Sequence, residues 1–114
     1  MTYTSDNKRL KFIYPILILL ETRFDDKALC QALFKDKRII SSFSEIAYNI
    51  LKGNVDLRPR EKIVLKRQKK FLIDLAQRGK YNLKYRMLTS ALGQHFLATV
   101  IPIILPAIAK WLSR

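Results

Sequence analysis

Seven of the sixteen residues in LRPREKIVLKRQKKFL, Leu57 to Leu72, are Lys or Arg, and only Glu61 is acidic. The apolar residues here keep a helical rather than an alternating period. On a helix from Pro59 to about Gln77, Val64, Leu65, Phe71, Leu72, Leu75 and Ala76 cover roughly a third of the circumference. Arg60, Lys62, Lys66, Arg67, Lys69 and Lys70 cover most of the rest, with Ile63 and Ile73 among them. Such a segment folds by laying its apolar stripe on other helices and leaving a broad cationic face outward. Lys62 with Lys66, and Lys66 with Lys70, are like-charge i,i+4 pairs, each costing a few tenths of a kcal/mol in an isolated helix. Only Glu61 and Asp74 offset them within the segment.

The pattern continues to Arg86: between Arg58 and Arg86 lie eleven basic and two acidic residues, half of the 22 Lys and Arg in the chain. With 9 acidic residues in all, the net charge is +13. Self-repulsion on this scale implies a polyanionic partner, which is nucleic acid, an acidic membrane surface or an acidic protein. Lys and Arg spread around a helix arc follow a phosphate backbone rather than read base edges, so binding is expected to be indifferent to sequence. The candidate nucleic-acid-binding residues are Arg58, Arg60, Lys62, Lys66, Arg67, Lys69, Lys70, Arg78, Lys80, Lys84 and Arg86. Tyr81 and Tyr85 flank Lys80, Lys84 and Arg86; packing on the preceding helix is expected ahead of stacking on bases. The gap of about six residues before Pro59 is longer than the turn of a helix-turn-helix.

The 114 residues are 49% hydrophobic, enough for one small domain or several helices with a modest core. FIYPILILL, Phe12 to Leu20, is too short for a convincing secretory signal and lacks a small-residue cleavage site; it reads as a first buried helix with Pro15 at its N1 position. Asp25 and Asp26 are N-cap types before a short helix carrying Leu29, Ala32 and Leu33. The next helix has Asp36 as N-cap and Gly53 as its stop. Ile39, Ile40, Phe43, Ile46, Ala47, Ile50 and Leu51 form its stripe, with Ser42 and Asn49 on the other side. Gly79 ends the basic helix, and a short helix from Leu83 to about Leu92 is expected to stop at Gly93. No segment alternates with period two. The fold class is all-α: a small array of amphipathic helices with a Pro-containing hydrophobic C-terminal helix. Its parts are N-terminal amphipathic helices (1–57), a basic helical segment (58–92) and a separate hydrophobic tail (93–114).

That tail, FLATVIPIILPAIAKWL, is 17 residues with one charge, Lys110. A bilayer span takes about 20 apolar residues, and Pro102 and Pro106 would each remove a helix hydrogen bond. Trp111, Lys110 and Arg114 fit an interface. Three readings stay open: a membrane-active segment, an oligomerisation or partner-docking helix, and a true anchor. The candidate membrane or oligomer contacts are Phe96, Leu97, Val100, Ile101, Ile103, Ile104, Leu105, Ile108, Trp111 and Leu112. Deleting Phe96 to Arg114 is expected to leave a DNA interaction mostly intact.

No catalytic set is evident. His95 is the only histidine and Cys30 the only cysteine, a small core residue that excludes an internal disulfide. Asp25 and Asp26 are expected to cap rather than bind metal, and no glycine-rich phosphate loop exists. The reading is non-enzymatic, without cofactor or metal.

The run SEIAYNILKGNVDLRPREKIVLKRQKKFLIDLAQRGKYNLKYRMLTSALGQHFLATVIPIILPAIAKWL, with DKALCQALFKDKRIISSFSEIA upstream, resembles small basic proteins of Maverick/Polinton elements and adintoviruses. Those are similar in outline to the adenovirus core protein X precursor. The likeness lies in the order of parts: a helix ending in NILKGNVDL, a Pro-started basic helix ending near LAQRGK, a second short basic helix, and a Gly junction before a Pro-containing tail. NLKYRMLTS is poorer in Lys than the group's second basic helix, and ALGQHF stands where a Gln-x-Gly-Gly-Phe type junction is common. The resemblance implies a minor virion or core protein associated with double-stranded viral DNA, in particles and the host nucleus. The tail is expected to hold copies together or to engage a capsid protein or membrane.

Overall fold

The computed structural model describes residues 7–113. Over them the chain forms seven helices and no strand: α1 (Asn7–Arg23), α2 (Lys27–Phe34), α3 (Lys37–Leu51), α4 (Pro59–Lys66), α5 (Lys69–Ala76), α6 (Tyr81–Thr89) and α7 (Ala91–Leu112). The fold is all-α. Arg114, expected beside Trp111 at an interface, lies outside the described residues, as do residues 1–6 of the N-terminal part.

Short-range chemistry places the first three helices. The Asp26 carboxylate accepts the Leu29 N–H at 3.0 Å and starts α2, and Asp36 accepts the Arg38 N–H at 2.9 Å and starts α3. Gly53, at φ +72°, ends α3. The Asn54 N–H reaches the Asn49 carbonyl at 2.9 Å and the Gly53 N–H the Ile50 carbonyl at 3.2 Å, which is a Schellman closure. Ile39, Ile40, Phe43, Ile46, Ala47 and Ile50 are buried as a stripe, while Leu51 at the helix end is exposed. Ser42 and Asn49, expected outside, are buried too, because α3 is flanked by α1, α2, α5 and α6. Each is satisfied within the helix: Ser42 Oγ donates to the Arg38 carbonyl and Asn49 Nδ2 to the Glu45 carbonyl. On α2 the inward residues are Cys30 and Phe34, and Phe34 meets Phe43 edge-on at 5.4 Å; Ala32 is exposed.

Two boundaries differ from expectation. α1 begins at Asn7, not Pro15. Leu10, Ile13, Leu17 and Leu20 keep one buried face through the proline, which sits on the exposed side. Gly93 does not stop a helix; it lies inside α7. A Cβ there would come within 2.1 Å of the Met87 carbonyl oxygen and 2.6 Å of the Leu88 carbonyl, so the missing side chain lets α7 pass against the end of α6. Ser90 separates the two helices, its hydroxyl accepting the Gly93 N–H at 3.1 Å.

The largest correction concerns the tail. α7 is not separate: it packs against α1, α6 and α4, and Phe96 stacks on Phe71 of α5 at 4.5 Å. Phe96, Leu97, Val100, Ile101, Ile104, Leu105 and Ile108 are buried in the chain's own core. These seven candidate membrane or oligomer contacts have no outward surface to offer in this fold. Of the ten, Ile103, Trp111 and Leu112 are half-buried and reach the surface. The cause is helical phase. The seven recur at one- and three-residue steps along one side, while Pro102 and Pro106 stand one turn apart on the exposed side. The extents, 34 × 30 × 28 Å, are close to equal.

Candidate nucleic-acid interface

The basic segment is two helices rather than one. α4 starts at Pro59, with the Glu61 carboxylate accepting the Arg58 N–H at 2.9 Å. It stops at Lys66, and Gln68 (φ −107°, ψ 18°) leads into α5. The break falls within the Lys66–Lys70 like-charge pair. Leu65 of α4 and Leu72 and Leu75 of α5 are buried, and Val64, Phe71 and Ala76 partly so, which realises the expected stripe. α5 lies on α3, whereas α4 rests on α7. Ile63 and Ile73 are exposed among the cations.

Arg58, Arg60, Lys62, Lys66, Arg67, Lys69, Lys70, Arg78, Lys80 and Arg86 are all exposed. The ion pairs among the described residues are Arg9–Glu45, Arg23–Asp26 and Arg38–Asp36, and none involves these ten. Lys80 Nζ contacts only the neutral Gln77 side chain, at 3.3 Å. The basic segment therefore lacks paired carboxylates, while Asp26 and Asp36 cap helices and bind arginines nearby and Glu45 binds Arg9.

Arg58, Lys62, Lys66 and Lys69 share a groove of about 1070 Å³ with Lys110 and Trp111 of α7. This convergence could not be read from spacing, because it depends on α4 docking beside the last turns of α7. Arg78 lines a smaller hollow of about 540 Å³ together with Arg9.

Lys84 does not belong to the cationic surface. It is 2% exposed, and its ammonium donates to Ser44 Oγ at 2.8 Å and to the Gln77 carbonyl. Burial holds its pKa below 10.5, with the nearby Tyr81 opposing weakly. The signal was present in the sequence: Lys84 is four residues before the buried Leu88, hence on the same helix face. Tyr81 is half-buried, its hydroxyl 3.3 Å from Ser41 Oγ and its ring under the Lys37 ammonium at 5.2 Å. Tyr81 and Tyr85 are half-buried and pack against the core; α6 packs chiefly on α7, α2 and α3 rather than on the preceding helix α5.

Among the described residues no group of three or more His, Cys, Asp or Glu could hold a metal ion. Burial, and after it Asp26 and Asp25, push the Cys30 thiol above its ordinary pKa, which disfavours the thiolate. α7 is long and apolar enough to cross a membrane by length and composition, a property it shares with core helices of soluble folds. Compared with family models, curated proteins and solved structures, the chain matches none.

Proposed function

We propose that this chain is a sequence-nonspecific nucleic-acid-binding protein, a minor core or virion component of a virus-like mobile element acting on double-stranded DNA in particles and the host nucleus. The observation that carries the binding reading is the set of ten exposed Lys and Arg between Arg58 and Arg86, none in an ion pair among the described residues. Phosphates complete such a surface by displacing its counterions, and no base need be read. The viral context rests on the sequence resemblance alone.

Fluorescence anisotropy on a labelled duplex tests the mechanism. With about 6–10 phosphates neutralised, affinity falls roughly 10³–10⁵-fold between about 50 and 200 mM salt. Affinity that stays level over that range overturns it.

Membrane association is the second reading, favoured by exposed Ile63 and Ile73 amid the cations. Co-sedimentation with acidic vesicles at the ionic strength of the DNA measurement separates the two.

A further inference from the structure

The groove beside α4 has a composition that phosphate binding does not explain. Its rim carries Arg58, Lys62, Lys66, Lys69 and Lys110 against two carboxylates, Asp56 and Glu61, the second of which already accepts the Arg58 N–H. Between these cations the lining is apolar: buried Leu65 with half-buried Ile103, Ala107 and Trp111 makes an apolar floor, and exposed Pro106 also lines the groove. A nucleic-acid backbone would use the rim and leave the floor wet. An acyl chain would use the floor, but it prefers a narrow apolar slot to a trough lined also by Asn54, Asp56 and five cations.

We propose that the groove receives an acidic amphipathic helix from a partner protein, its apolar stripe on the Ile103–Ala107–Trp111 floor and its Asp and Glu under the cationic rim. Size is compatible. A helix with side chains is about 10–12 Å across, and a groove of about 1070 Å³ has room for part of one. Charge agrees as well, since five cations face two carboxylates. This is the helix-in-groove mode, in which apolar anchors set affinity and rim charges set orientation. The inference stands on the apolar floor and does not require the nucleic-acid reading, although the two ligands would compete for Lys62, Lys66 and Lys69.

Trp111 is the only tryptophan, so its emission reports the groove directly. The probe is a synthetic peptide of about 14 residues with Leu at i, i+3, i+4 and i+7 and Glu elsewhere. It is compared, at about 0.15 M salt, with a scrambled peptide of equal composition, polyglutamate, acidic phospholipid vesicles and a DNA duplex. The expected result is a saturable blue shift with the amphipathic peptide and affinity at least about 10-fold weaker, or 1.4 kcal/mol, for the scramble and polyglutamate. Lys62→Glu/Lys66→Glu, at two exposed positions, and Ala107→Glu each weaken the peptide about 10-fold or more, with circular dichroism confirming the fold. Equal binding of the scramble or polyglutamate overturns the proposal, as does a peptide affinity unmoved by the charge reversal. A Trp111 response to vesicles or duplex with none to the peptide also overturns it. Duplex affinity of the unaltered chain is read separately by anisotropy, so loss of one reading does not mimic loss of the other.

Discussion

Lys84 of α6 sets its ammonium 2.8 Å from the Ser44 hydroxyl of α3, forty residues earlier in the chain. With the Gln77 carbonyl as second acceptor, this side chain ties α3, the corner after α5 and α6 together. Lys84→Ala is expected to lower the unfolding free energy by about 1–3 kcal/mol in urea titration, since the Gln77 carbonyl loses its donor. Lys84→Met loses less, because the apolar stem still packs. Neither changes the salt slope of duplex binding, whereas Lys66→Ala lowers that slope by about 1.

The same lysine gives a pH dependence of known sign. Burial places its folded pKa below the ordinary 10.5. Between the folded value and 10.5 the unfolded chain binds the proton and the folded chain does not, so this group makes stability rise with pH there and level off above 10.5. The difference in unfolding free energy between the unaltered protein and Lys84→Met, followed from neutral to alkaline pH, should show that rise.

Acid acts in the opposite way on the helix caps. The Leu29 N–H, then Arg23, hold Asp26 below 3.8, and the Arg38 side chain, then its backbone N–H, do the same for Asp36. Their contribution is present above the ordinary value and is lost as pH falls from 3.8 through the lower folded values. Asp26→Asn/Asp36→Asn should therefore flatten the decline of the melting temperature over that acid window.

Gly93→Ala tests the close pass of α7 over α6. The added methyl meets backbone atoms at 2.1 and 2.6 Å, which no rotamer change relieves. The expected loss is toward the upper end of the roughly 1–3 kcal/mol typical of overpacking, against little change for Ala at exposed Gln94. Chemical denaturation of the two variants side by side checks this.

Ile104 is fully buried on α7. Ile104→Ala should cost about 2–5 kcal/mol, and deletion of Phe96 to Arg114 should leave a chain without helical circular dichroism. A detachable tail would give no such loss.

What was legible in the sequence is what local chemistry decides. Asp26 and Asp36 announce helix starts, Gly53 announces a left-handed stop, and the stripe of α3 falls where its phase puts it. The apolar face and the cationic exposure of α4 and α5 were legible as well. Apolarity alone could not distinguish α7 as a core helix from a tail, because the two satisfy the same composition; its one-sided phase held the answer. The break at Gln68 carries no Gly or Pro to mark it. The groove depends on residues near Lys62 and Trp111 that meet only after folding.

The pairing of α1 with α7 joins the two ends of the described chain. Bringing them together closes a loop of most of the molecule, which is entropically slow compared with forming any neighbouring pair of helices. During synthesis, the lysines and arginines of α4 and α5 leave the ribosome before the helix that completes their support. Until α7 arrives, the nascent chain is cationic with an unfinished interior, so closure of the core waits on α7.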